Sequence, residues 1–117
     1  MSAFAELETL SQTLGLINEP QDWGIVNSDP NRAEEFMLYA HRSPITFAQQ
    51  YAIVELVLSS VNDAMTEGLF SPEMQCSFEK FLDSDLHGLG IQINYWKNLN
   101  SEDEYPVSKF LKSHYIH

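Results

Sequence analysis

A single cysteine, Cys76, excludes an internal disulfide and fits a reducing compartment. Basic residues are scarce too. Six Lys and Arg stand against seventeen Asp and Glu, a net charge of −11. Such a chain repels nucleic acid and anionic membrane and attracts basic proteins. No apolar run reaches the roughly 20 residues of a membrane span. The opening MSAFAELETLSQ is acidic and lacks the basic start and apolar run of a secretory leader. The expected location is the cytoplasm. Paired cysteines, a His-Glu-x-x-His pair, a glycine-rich phosphate loop and a serine nucleophile elbow are all missing. No catalytic residue, cofactor site or metal ligand is therefore assigned, and the chain is not expected to be an enzyme.

What is present is apolar enough to fold. The 117 residues are 44% hydrophobic and 12% aromatic, which excludes a disordered chain and suits one domain over 1–117. Apolar residues recur at helical spacing. Residues 3–14 carry Ala3, Leu7, Leu10 and Leu14, with Ser2 as a cap and Gly15 as the stop. Residues 15–28 are less regular, and WGIV (23–26) reads as a short strand. Asp29 caps the next helix, Pro30 opens it, and Ala33, Phe36, Met37 and Ala40 form its buried stripe.

The longest helix spans about 46–67. Phe47, Tyr51, Val54, Leu58, Val61 and Met65 form one ladder, widened by Ile53, Leu56, Val57 and Ala64. Glu55, Ser59, Asn62 and Thr66 fall on its remaining face, beside Asp63, and Gly68 is the stop. Ser71 and Pro72 begin another helix with Met74, Phe78, Phe81 and Leu82 inward and Cys76 nearly opposite. In residues 89–99, Ile91, Ile93 and Tyr95 alternate as in a strand, while Leu89, Ile93 and Trp96 fit a helix. The absence of a second strand partner favours helix. VSKFLKSHYIH closes in helical register. The expected fold is an all-α single-domain bundle of five to six helices.

DSDLHGLGIQIN (83–94) imitates the start of a calcium loop, with Asp83, Asp85 and Gly88 at positions 1, 3 and 6. It then fails. Position 5 is His87, position 9 is Ile91, and the bidentate Glu of position 12 is replaced by Asn94. A helix end followed by a glycine turn is the better reading. His41, His87, His114 and His117 show no spacing that outweighs favourable placement near helix C-termini. Cys76 has acidic neighbours in sequence and reads as an ordinary thiol. Glu34–Glu35 and Glu102–Asp103–Glu104 read as cap or loop charges.

Acids are concentrated in two stretches. Residues 1–35 hold seven acids against Arg32, and residues 59–88 hold six against Lys80. With the central helix YAIVELVLSSVNDAMTEG and the acidic helix-and-turn SPEMQCSFEKFLDSD, this acidity resembles in character the bacterial toxin immunity proteins, of the helical colicin type or the contact-dependent-inhibition type. That resemblance implies a stoichiometric inhibitor that covers the active or substrate surface of a basic toxin domain, often a nuclease. The partner-binding residues expected are Glu55, Asp63, Glu67, Asp83 and Asp85, with Tyr95 or Trp96 as the aromatic anchor. A helical adaptor or regulatory subunit for a non-toxin protein is the alternative. No nucleic-acid or membrane partner is expected.

Overall fold

The computed structural model describes residues 3–19, 21–42, 45–86, 88–99 and 105–115, with the side chains of residues 3, 4 and 42 left aside. Ser2, His87, His117 and residues 102–104 lie outside the described residues. Among those described there are seven α-helices, one 3₁₀ turn and no strand. The helices are α1 (Ala3–Leu14), α2 (Trp23–Val26), α3 (Ala33–Arg42), α4 (Phe47–Thr66), α5 (Pro72–Leu82), α6 (Leu89–Lys97) and α7 (Pro106–His114), with the 3₁₀ turn Pro30–Arg32 leading into α3.

The bundle is built around α4. Thr46 and Gln49 close a capping box at its start, each side chain serving the other's backbone N–H. Ile53, Val54, Leu56, Val57, Leu58, Val61 and Ala64 are then fully enclosed. Their neighbours are α1, α2, α3, α6 and α7, all of which pack on α4, while α5 packs on α3. The face expected to be polar is covered over most of its length, since Ser59 and Asn62 are buried and Glu55 is half-buried, while Thr66 near the end is exposed; Ser60 is buried too. These polar side chains hold neighbouring backbone in place. Ser60 Oγ accepts from Asp29 N–H at 3.0 Å. Asn62 Oδ1 accepts from Val107 N–H at 3.2 Å, which satisfies one orphan donor at the start of α7. Gln49 Nε2 donates to the Glu6 carbonyl of α1 at 2.9 Å.

The helix ends follow the chemistry of their residues. Gly15 (φ +69°) and Gly68 (φ +75°) end α1 and α4. The following N–H groups reach back to Ser11 O and Ala64 O, both at 2.8 Å, in the Schellman pattern. Ser71 Oγ accepts from Met74 N–H at 3.1 Å to start α5. At the other end Arg32 donates to Leu14 O at 3.0 Å and pairs in two-pronged fashion with Glu35.

One expectation is corrected, and the strand-or-helix ambiguity of residues 89–99 resolves to the helix that the missing strand partner favoured. WGIV is one turn of helix, because Trp23 is drawn inward and its indole Nε1–H donates to the buried Ser11 Oγ at 2.8 Å. Residues 89–97 are helical, with Leu89, Gln92, Ile93 and Trp96 on the covered side and Ile91 and Tyr95 exposed. The strand alternation there resulted from apolar residues that face solvent. A Cα radius of gyration of 13.5 Å is near the ~13 Å of a compact chain of about this length.

Candidate functional site: a carboxylate cleft between α1, α2 and α4

The segment between α1 and α3 is tied down by side chains. Asn27 accepts from Ile17 N–H at 2.8 Å and donates to Ile17 O and Trp23 O at 3.0 Å each. This brings Asp22 and α2 against the first half of α4. Asp22 takes left-handed backbone angles (φ 56°, ψ 35°), which Asp adopts more readily than most residues. Two residues on, Gly24 meets α4 so closely that a methyl group there would lie 2.6 Å from Glu55 Oε1 and 2.9 Å from the Leu56 nitrogen. The glycine lets its own N–H donate to Glu55 Oε1 at 2.9 Å.

Beside this contact is a cleft of about 210 Å³, lined by Leu7, Asp22, Trp23, Tyr51, Ala52 and Glu55. Its chemistry is one-sided: two carboxylates, two aromatic rings and two aliphatic side chains, with no Lys, Arg or His among the described lining residues. Trp23 is almost wholly covered, whereas Tyr51 is partly exposed. The Tyr51 ring packs against Gly88, whose αL angle (φ +80°) also starts α6. Burial raises the Glu55 carboxyl above the usual carboxylate range; the Gly24 N–H works against that rise and the charge of Asp22 adds to it. A cation placed in the cleft would offset the charge of Asp22 and favour the ionised form of Glu55.

The expected binding residues differ in exposure and in what they touch. Glu55 is half-buried and held by Gly24, so it is not the open surface charge expected. Asp63 is also half-buried and accepts from Ser28 Oγ. Glu67 is exposed at the end of α4. Asp83 and Asp85 are exposed after α5, where Asp83 Oδ1 lies 3.6 Å from His114 Nε2. That contact joins the ends of α5 and α7. Trp96 is not an exposed anchor; it is 5% accessible and packs edge-to-face on Tyr105. Tyr95 is 62% accessible and remains open to a partner.

Sequence reasoning missed Asp22, Trp23, Gly24 and Tyr51. The one sequence signal for them was Gly24 in an otherwise apolar turn, a sign of close backbone approach. A second cleft, of about 250 Å³ between α3 and α5, is lined by Glu34, Met37, Leu38, His41, Ser77, Lys80 and Phe81. It contains charges of both signs, and Ser77 Oγ donates to Glu34 at 3.3 Å. Cys76 is exposed. Among the described residues no three His, Cys, Asp or Glu side chains gather as a metal site, and no helix is long and apolar enough to cross a membrane. Neither family models, nor curated proteins, nor solved structures give a match to this chain.

Proposed function

We propose that this protein is a stoichiometric binder of a basic protein, in the manner of an immunity protein that neutralises a bacterial toxin domain. The observation that carries the reading is the carboxylate cleft: Glu55 is half-buried beside Asp22, with no cationic side chain among the described lining residues. One backbone N–H does not replace the water lost around a half-buried carboxylate, and a bound cation from another molecule offsets that cost. The net charge of −11 adds long-range attraction, which speeds the encounter with a basic surface and weakens with salt. A nuclease presents Lys and Arg for phosphate, and a rigid carboxylate surface occupies those groups. About 800 Å² on each partner makes an interface of standard size, which one side of a bundle with extents 39 × 27 × 27 Å accommodates.

The test uses the protein encoded beside this one in its genome. Cells making that neighbour alone should stop growing, and co-expression of this chain should restore growth through a one-to-one complex seen by light scattering. A neighbour that neither arrests growth nor binds overturns the toxin reading. Stable binding to a harmless neighbour would place the chain among adaptors instead.

A further inference from the structure

We propose that the cleft between α1, α2 and α4 receives a single arginine or lysine side chain of a partner protein, flanked in that partner by an apolar residue. This rests on the reading of the chain as a binder of a basic protein and specifies the group it holds. Several features select such an occupant.

The first is size. At about 210 Å³ the cleft is smaller than the roughly 300–1,000 Å³ of most small-molecule sites, so it suits one side chain. The second is the division of its walls. Leu7, Ala52 and the rings of Trp23 and Tyr51 cover an alkyl stem, and the carboxylates of Asp22 and Glu55 meet a charged head. Aromatic faces attract organic cations as well. A metal ion is a poorer fit, because calcium takes six to eight oxygen ligands. The cleft offers two carboxylates, one of them already engaged by Gly24 N–H.

The rim extends the same pattern. Tyr51, in the lining, lies one turn before Glu55 on α4 and is 42% accessible. Val26 follows Asp22 by one turn and is 46% accessible. An apolar residue beside the partner's cation would rest there. A second copy of this chain is disfavoured as occupant, because two molecules each carrying −11 repel.

The test is an NMR titration of the ¹⁵N-labelled full chain with a blocked peptide that carries Arg between two leucines. A control peptide replaces Arg with citrulline, which keeps the shape and removes the charge. Expected are shifts at the amides of Asp22, Trp23 and Gly24, and affinity about tenfold weaker for citrulline. Asp22→Asn and Glu55→Gln, which preserve shape and backbone preference, should each weaken the Arg peptide about fivefold or more with an unchanged starting spectrum. Equal binding of the two peptides, shifts centred on Asp83 and Asp85, or unaltered affinity in both variants would overturn the assignment. So would concentration-dependent shifts of the same amides without peptide, which would identify a second copy as the occupant. The two readings fail separately. A toxin partner bound equally by wild type and both variants sinks only the cleft, whereas Arg-peptide binding without such a partner sinks only the toxin reading.

Discussion

At Gly24 a methyl group would press on the Glu55 carboxylate and on the α4 backbone at once. Carboxylate and backbone cannot both give way, so Gly24→Ala should cost about 2 kcal/mol, read from the midpoint of urea unfolding. Glu55→Gln should behave in the opposite way. The amide keeps an acceptor for the Gly24 N–H and removes the desolvated charge, so stability at neutral pH should hold or rise by less than about 1 kcal/mol. The sign of the pH dependence follows from the raised pKa of Glu55. Between its unfolded and folded values the folded state binds more protons, so this group's contribution is fully present below the unfolded value and falls as pH rises through the interval. The variant lacks that fall. Its stability relative to wild type should therefore grow across that window and be level outside it; a constant difference would contradict the burial of Glu55. Ser11→Ala tests the floor of the cleft. It leaves the buried Trp23 indole N–H without its acceptor and should cost about 1–3 kcal/mol, again by urea unfolding.

Along the elements, the parts that could be read from sequence were those set by local chemistry. Gly15, Gly68, Ser71 and Pro72 mark ends that depend on their own backbone angles or hydroxyls, and the structure places those ends where the residues indicate. The stripe Ala33, Phe36, Met37 and Ala40 is buried as its spacing requires. Two polar residues of α4 misled because a helix wheel assigns polarity to solvent, whereas Asn62 and Glu55 face the backbone of other segments. Asn27, which ties residues 17 and 23 together, likewise acts through contacts that no periodicity records. The cleft was illegible for the same reason, since Leu7, Asp22, Tyr51 and Glu55 come from three separate segments. At this scale Asn62→Ala should loosen α7. Amide exchange should quicken in Val107–Leu111 before it does in α4, and uniform protection would contradict the role given to Asn62.

For the molecule as a whole, charge and shape divide the work. The net −11 acts over about a Debye length and sets how fast a basic partner arrives, while the cleft sets how long one cation stays. Exposed acids outside the cleft lining, such as Asp85, belong to the first role. Asp85→Lys should slow association severalfold at low salt and leave dissociation nearly unchanged. Asp22→Asn with Glu55→Gln belongs to the second and should act mainly on dissociation.

The most direct measurement is the affinity of this chain for the neighbouring-gene protein at about 50 and 500 mM salt, for wild type and for the Asp22→Asn, Glu55→Gln double variant. Wild-type affinity should fall steeply with salt, and the double variant should bind at least about tenfold more weakly at low salt while remaining folded. Affinity that is indifferent to salt, and equal in the two proteins, would contradict the account.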